Sequence, residues 1–397
     1  MEQYEVSVVG GGPIGCHIAG QLASKGRKVV VFEEHPTIGE PLHCAGLVTQ
    51  RVLDLARCPH SDIVQNTIYG AVIHSPSGSL LTIGGDKVHA LVIDRQKFDM
   101  HIAKKASESG ATILPDRKVI SVRKQRTFLT LDVQHDKLVT PVLCQILIGA
   151  DGAHSRIRHS FEFPRPIEML HGFSAELANC TLDPKYVHIF VGNKIAPRFF
   201  AWVIPTNLQG TNARIGLCVG KQHAHFLQQY FTTLLNQSLL QGTTVLRRFG
   251  GTIPLGPLKK TTADRLMLVG DAAAQVKPTS GGGLYPGLLC ATHCSNRAEA
   301  AFQQQRFDEK FLQEYHAAWI KEIGRELSQG MRFRRIFTHL TDSQFDKYLE
   351  KLNTQKTLST INTYGDIDYP SRLAFPLLKT TPSLLSLAPT LLKRQER

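Results

Sequence analysis

The sequence predicts an α/β fold: a strand–turn–helix domain, an antiparallel second domain and a helical C-terminal region. Three observations predict it. The apolar run Val6–Val9 breaks into Gly10-Gly-Gly-Pro-Ile-Gly15, and Cys16, Ala19, Leu22 and Ala23 follow at helical spacing. Two later apolar runs end in Gly149-Ala-Asp-Gly152 and Gly270-Asp271. Residues 161–260 lose helical periodicity, except over 222–240, and carry short strand-like runs between turns.

The first stretch organises the rest. Gly10, Gly12 and Gly15 fit G-x-G-x-x-G, whose glycines serve a tight turn, a close pyrophosphate approach and close helix–strand packing. The helix start then offers unpaired N–H groups and a partial positive charge to phosphates. A second strand, Lys28–Phe32, ends at Glu33 and Glu34, where a ribose hydroxyl is held in such folds. Together these predict a Rossmann-like dinucleotide site.

Pro36–Gly46, with two prolines and two glycines, reads as a loop crossing the cofactor face, with Cys44 in its middle. On the residues alone Cys44 is a small side chain packing under a loop. Thr67–His74, Leu80–Ile83 and His89–Ile93 read as short strands, a small β excursion near 67–93. Asp94 caps a helix that runs to Ser109 and stops at Gly110. Ala111–Leu114 and Lys118–Val122 are strands, and Thr127–Val133 with Val139–Leu143 form a two-stranded excursion. Asp151 stands at a strand's carboxyl end, where ligands of open α/β sheets bind. Asp271, followed by Gly281–Gly283 and a helix from about Leu284, is a second such site. After 288 the chain reads helical to about 350, with Trp319, Ile323, Leu327 and Met331 on one stripe. The tail, Leu373–Leu392, is rich in Leu and Pro with Lys379, Lys393 and Arg394 about it, and Pro376, Pro382 and Pro389 forbid one continuous helix. The expected organisation is 1–160 and 261–300 as two parts of the cofactor domain, 161–260 as the substrate domain, and 301–397 as the helical region.

The 397 residues suit two or three domains, and 42 % hydrophobic with 20 % charged residues is an ordinary globular composition. The net charge of +13 serves solubility or fits an anionic membrane surface or acidic substrate. The basic residues are scattered and no nucleic-acid-binding motif occurs, so nucleic acid is not an expected partner. The eight cysteines form no C-x-x-C pair and no secretory signal precedes them, which predicts a reduced, cytoplasmic chain. No apolar run reaches the roughly 18 residues a spanning helix needs, though the chain can still lie on the inner face of the cell membrane. His223-x-His225 and Cys290-x-x-x-Cys294 lack zinc spacing, so no metal is expected.

Gly10-x-Gly-x-x-Gly15, Asp94-Arg95, Gly149-Ala-Asp-Gly152 and Gly270-Asp271, in that order over residues 1–300, resemble the FAD-dependent superfamily with the para-hydroxybenzoate hydroxylase fold. Within it, Pro41-Leu-His-Cys44-Ala-Gly46, Pro278-Thr-Ser-Gly-Gly-Gly283 and Phe200-Ala-Trp202-Val-Ile204-Pro205 with Gly216 resemble the geranylgeranyl reductase branch (digeranylgeranylglycerophospholipid reductase-like). The chain departs from that branch at Ile204, where Phe is usual, and at Cys218, where a second Gly is expected. The resemblance implies FAD as cofactor. Gly10, Gly12, Ile14 and Gly15 would hold its pyrophosphate and Glu33 or Glu34 its ribose. Cys44, Ala45 and Gly46 would lie beside the flavin. Arg95, Val119 and Asp271 are implied contacts, with backbone at Gly283 and Leu284 against the ring. Phe200, Trp202, Ile204 and Pro205 would line the prenyl site, although such a cluster equally suits a sheet core.

The resemblance further implies a reductase that saturates the C=C bonds of a geranylgeranyl lipid, reduced flavin delivering hydride to one alkene carbon while a proton reaches the other. A free thiol, with a reference pKa of about 8.5, holds its proton at neutral pH, which makes Cys44 the candidate catalytic residue beside ordered water. The chain carries no second nucleotide motif, so electrons come from NAD(P)H, ferredoxin or deazaflavin. A flavin monooxygenase, a halogenase and a flavoprotein feeding electrons to quinone are the rival readings.

Overall fold

The structure, a computed structural model, describes residues 2–392. The first part runs β1 (Glu2–Val9), α1 (Pro13–Ala23), β2 (Val29–Phe32), β3 (Leu47–Val48), α2 (Gln50–Ala56), β4 (Val64–Ile68), β5 (Gly70–His74), β6 (Leu80–Gly84), β7 (Ala90–Ile93) and α3 (Arg95–Glu108). It continues with β8 (Thr112–Leu114), β9 (Lys118–Lys124), β10 (Leu129–His135), β11 (Leu138–Gly149) and α4 (Arg156–Ser160). Then come β12 (Glu168–Ala178), β13 (Tyr186–Val191), β14 (Phe200–Pro205), β15 (Ala213–Gly220), α5 (Leu227–Leu235), β16 (Thr244–Leu255), β17 (Thr262–Ala263) and β18 (Leu266–Leu268). The remainder is helical: α6 (Leu284–Gln304), α7 (Glu309–Trp319), a π turn (Ile320–Gly324), α8 (Arg325–Phe337), α9 (Asp342–Leu352), α10 (Gln355–Tyr364), α11 (Ser371–Thr380) and a 3₁₀ segment (Pro382–Leu392).

The first sheet has the order β17-β18-β11-β1-β2-β8, with β10 and β9 paired antiparallel onto β11. Its central strands are parallel and buried on both faces, which is why each reads as a continuous apolar run. Val6, Val8, Val29, Val31, Ile146 and Ile148 pack against α1, α3 and α6. The alternate residues Val9, Val30, Phe32 and Leu147 pack against the β9–β10 meander.

The second sheet has the order β16-β12-β15-β14-β13-β5-β6. One face, including Ala201, Val203, Ile215 and Leu217, is covered by α5. The other carries Phe200, Trp202 and Cys218 towards Val276 and Met331 of the glycine loop and α8. The run Thr67–His74 does not form one strand. It divides at Tyr69: β4 joins β7 and β3 in a three-stranded sheet, whereas β5 pairs parallel with β13 in the second sheet. Hairpin β5–β6 is thus an edge of the second sheet.

In the tail, Pro376 sits inside α11 rather than ending it, and the break falls at Thr381, between α11 and the 3₁₀ segment. Lys393 and Arg394 lie outside the described residues. Cys290 and Cys294 are buried in α6, with Cys294 Sγ 3.9 Å from Met267 Sδ, as packing side chains.

Candidate functional site

One row of the parallel register places the site. Val9 pairs with Phe32 and with Gly149, Phe32 with Leu114, and Gly149 with Leu268. Five strands therefore end at one level. The residues that follow, Gly10, Glu33, Ala150-Asp151 and Gly270-Asp271, share one rim at the carboxyl edge. A cleft of ≈ 860 Å³ opens there, bounded by Gly10–Pro13, Glu33, Glu34, the 39–44 loop, Arg95, Val119, Ala150–His154 and Asp271. That volume lies within the range of about 300–1,000 Å³ for cofactor and ligand sites.

The glycine turn has three different jobs. Gly10 has φ +107°, and a Cβ there would lie 2.3 Å from the Ala150 carbonyl oxygen. A Cβ on Gly15 would lie 2.0 Å from the Gly10 carbonyl oxygen, so only Gly lets α1 pack this close. At Gly12 a Cβ would meet nothing within 4 Å: it would stand in the open cleft. Gly12 is also the N-cap of α1 and gives no side-chain cap, so the first-turn N–H groups face the cleft without a protein partner. The Gly11 N–H donates to Glu33 Oε2 at 2.6 Å, and the other oxygen of Glu33 accepts from the His35 N–H at 3.0 Å. Glu33 is thus held at the cleft, whereas Glu34 pairs with Lys118 at 2.6 Å on its outer edge. Open space over Gly12, free donors and a tethered carboxylate fit a dinucleotide's pyrophosphate and ribose. Ile14 offers only its backbone, since its side chain packs under Gly270 and Gly287.

The 41–46 loop crosses the cleft and is pinned at both ends. His43 Nδ1 lies 2.6 Å from the Gly250 carbonyl oxygen in β16. Cys44 Sγ accepts from the Gly46 N–H at 3.4 Å and faces the Arg95 guanidinium. Arg95 in turn grips Asp99 with Nη2 at 3.0 and 3.1 Å. Burial opposes the charge on Arg95, but Asp99 and then Cys44 beside it outweigh that and hold the guanidinium protonated. Ala45 and Gly46 are set by Arg214, a buried arginine of β15 that donates to the Ala45 carbonyl (3.2 Å), the Ile93 carbonyl (2.8 Å) and Gln65 Oε1 (2.7 Å). Sequence reasoning passed over Arg214. Its signal is a lone charge in the apolar strand Ala213–Gly220.

Asp151 does not face outward. Its carboxylate accepts from Ser155 Oγ (2.6 Å) and the Ile157 N–H (3.1 Å), shaping the turn into α4. Asp271 faces the cleft and is half-buried. Burial pushes its carboxyl up to about 6, with Arg95 and Arg158 pulling it back. A folded-state pKa above the unfolded 3.8 means the folded protein binds the proton more tightly. This stabilisation is therefore lost as pH rises from about 4 to 6, roughly 3 kcal/mol in all. We expect Asp271→Asn to stabilise the apoprotein at pH 7 relative to wild type by roughly that amount. At pH 4 the two should unfold alike in urea. A difference independent of pH would mean that the carboxyl does not titrate differently in the folded state.

Beyond Asp271 the chain forms the loop Pro278–Gly283 and enters α6, whose N-cap Gly283 also gives no side-chain cap. A Cβ on Gly283 would lie 2.8 Å from Asp271 Oδ1, so loop and carboxyl are in contact. Leu284 is the first residue of that helix. On the far side of the loop lies a second hollow, ≈ 140 Å³, lined by Phe199, Phe200, Pro278, Thr279, Phe333, Arg334 and Phe337. The Arg334 charge is paired: Nε and Nη2 each donate to Glu168 at 2.8 Å. Trp202 lies beside this region on the same face of β14, over Gly216, where a Cβ would come within 2.5 Å of the indole. Its Nε1 is buried without a protein partner. Ile204 and Pro205 do not reach the hollow. Ile204 packs against Ile68, Ala90 and Val92, and the Pro205 carbonyl accepts from Asn66 Nδ2 at 3.0 Å. The strand carries them away from the loop into the join between two sheets.

A family model for the FAD binding domain matches residues 3–245. An uncharacterized protein of Methanocaldococcus jannaschii is 31 % identical over 380 residues, 95 % of each chain. A digeranylgeranylglycerophospholipid reductase of the same organism is 29 % identical over 88 % of this chain and 90 % of its own. Among solved structures, a geranylgeranyl bacteriochlorophyll reductase-like protein of Thermoplasma acidophilum superposes with a TM-score of 0.88 at 23 % identity, covering 98 % of this chain and all of its own.

Proposed function

This chain belongs to the FAD binding domain family, and from that premise we propose that it is an FAD-dependent reductase of geranylgeranyl chains, acting on geranylgeranylated glycerophospholipids in membrane lipid biosynthesis. The observation that carries the reading is the aromatic hollow against Pro278–Thr279, in a chain similar along nearly its whole length to a reductase of such lipids. The hollow is apolar, its one cation is neutralised by Glu168, and it abuts the loop that borders the cofactor cleft. It suits a segment of hydrocarbon and offers nothing to a charged headgroup.

FAD bound here, once reduced by the electron donor, would supply hydride to one carbon of an alkene. The residues of this chain do the rest. Gly12 and the start of α1 would take the pyrophosphate, Glu33 a ribose hydroxyl, and Asp271 with the Gly281–Gly283 loop would hold the flavin end. Phe199, Phe200 and Phe337 hold the chain dry, which favours an apolar substrate over water. Cys44 sits on the loop across the cleft, with its sulfur against Arg95 and the Gly46 N–H. In this reading the Cys44 thiol supplies the proton to the second alkene carbon. Electrons arrive from a reduced donor, a nicotinamide nucleotide, ferredoxin or deazaflavin.

The test bypasses the donor. The holoprotein is reduced chemically without oxygen and given a geranylgeranylated glycerophospholipid, and mass spectrometry follows the lipid. A gain of two hydrogens per double bond, with flavin reoxidation, is expected. An unchanged lipid, with reoxidation only on admitting oxygen, would replace the reductase by a monooxygenase. Cys44→Ser should keep full FAD occupancy and slow single-turnover reduction by on the order of 10²-fold, the scale of a lost general acid. Unchanged turnover would confine Cys44 to packing.

A further inference from the structure

We propose that α11 and the start of the 3₁₀ segment form a docking face for an anionic phospholipid bilayer. The inference rests on the lipid-reductase reading for its purpose, but not for its observations. Of the fifteen large hydrophobic side chains that are exposed among the described residues, five fall within residues 364–385: Tyr364, Ile367, Phe375, Leu378 and Leu385. Phe375 is 66 % exposed and Leu385 59 %. On α11 the exposed positions are Arg372, Phe375, Leu378 and Lys379, spaced i, i+3, i+6 and i+7, which is one side of a helix.

The exposed charges of α11 are basic. From Tyr369 to Leu392 the sequence contains no Asp or Glu, while Arg372 and Lys379 stand on the exposed side. Lys379 Nζ lies 4.6 Å from the Phe375 ring centroid, so the ammonium rides at the edge of the apolar surface. Apolar side chains flanked by Lys379 and by the exposed Arg372, whose Nη1 also meets Asp366 at 3.3 Å, match the boundary between acyl chains and anionic headgroups.

The face is also rigidly mounted. Ser371 bonds Glu326 through its N–H (2.9 Å) and its hydroxyl, and Thr381 bonds Thr357 at 2.9 Å. Lys277, the residue before the Pro278–Gly283 loop, pairs with Asp368 at 2.6 Å, and Tyr285 meets Tyr369 at 2.7 Å. The docking face is therefore tied to the loop that separates the cofactor cleft from the aromatic hollow. No helix among the described residues is long and apolar enough to cross a membrane. A lipid with two long chains would then meet the site from a surface against which the protein lies.

The test is sedimentation of the FAD-loaded full chain with vesicles of phosphatidylglycerol or of phosphatidylcholine, neither containing a prenyl lipid. Wild type should sediment with phosphatidylglycerol, release as salt rises, and ignore phosphatidylcholine. The triple variant Phe375→Ser/Leu378→Ser/Leu385→Ser should bind on the order of tenfold more weakly or worse. It should keep its FAD and melting temperature, and reduce detergent-dispersed lipid as wild type does. Leu208→Ser, an exposed leucine elsewhere, should bind vesicles normally. Equal sedimentation of wild type and the triple variant would overturn the proposal. So would a wild-type dimer in light scattering that the triple variant abolishes, since a second copy would then cover the face. Vesicle binding without lipid reduction would reject the substrate reading alone. Reduction of dispersed lipid without vesicle binding would reject the docking face alone.

Discussion

Gly12→Val will purify as a folded, colourless protein. The substitution separates binding from folding because the Val side chain would point only into the cleft. Gly12 has φ −67° and ψ 176°, a backbone open to any residue, and its Cβ meets no protein atom within 4 Å. Loss of Gly from the unfolded chain gains about 0.4–1 kcal/mol, and a β-branched residue at an N-cap loses about as much. Urea unfolding of the apoprotein should therefore sit within about 1 kcal/mol of wild type. The branched side chain occupies the space the pyrophosphate must enter and shields the first-turn N–H groups of α1. FAD affinity should fall at least about a thousandfold, some 4 kcal/mol. Gly10→Ala is the contrast. Its Cβ overlaps the Ala150 carbonyl and its φ is positive, so it should unfold more easily with or without FAD. A yellow Gly12→Val protein with full occupancy would move the cofactor elsewhere.

The parts of the site that could be read from the sequence are those where backbone geometry forces the residue. A buried parallel strand must be continuously apolar, and a chain that turns at once onto a helix needs Gly, so Val6–Gly15, Gln145–Gly152 and Leu266–Asp271 announce themselves. The register then brings those three ends together, which local pattern alone does not state. The relatives and the shared architecture bear out the FAD cofactor, the fold class and the resemblance on which they rested.

What stayed hidden depends on partners distant in the chain. Thr67–His74 is uniformly strand-like, and its division at Tyr69 is decided by pairing of Gly70–His74 with Tyr186–Phe190. Phe200, Trp202 and Ile204 share a face by their spacing, yet only tertiary packing sends Ile204 into a core and leaves Phe200 at a hollow. Pro376 should interrupt a helix. It is carried inside α11 because tertiary contacts, including those of Ser371 with Glu326 and Thr381 with Thr357, hold both ends. Lys277 looks like an ordinary surface charge until the acceptors around it are seen, and Arg214, although it stands out in an apolar strand, does not show which carbonyls it holds.

Lys277 gives the second large effect. Its side chain passes beneath Gly282, where a Cβ would lie 3.0 Å from Lys277 Cε, and its ammonium ends 2.6 Å from Asp368 Oδ1 and 3.2 Å from the Ile367 carbonyl. The Lys277 and Asp368 side chains are 7 % and 1 % exposed. Asp368 also accepts from Thr49 Oγ1 (2.5 Å) and Arg51 Nη1 (3.2 Å). The two single substitutions are therefore unequal. Asp368→Ala strips Lys277 of its carboxylate and leaves a buried ammonium, a loss of about 3–5 kcal/mol. Lys277→Met leaves Asp368 with Thr49 and Arg51 and should cost less. Lys277→Met/Asp368→Leu removes both charges and should recover most of the loss seen in Asp368→Ala. Because the pair fastens residues 366–369 to the start of the glycine loop, Asp368→Ala should also weaken FAD binding, although Asp368 does not line the cleft. Urea midpoints and FAD fluorescence titrations, read on the same three proteins, decide between the alternatives. If the double variant is as unstable as Asp368→Ala, the cost lies in packing rather than in the unpaired charge. If stability falls while FAD affinity holds, the loop keeps its shape without the C-terminal segment.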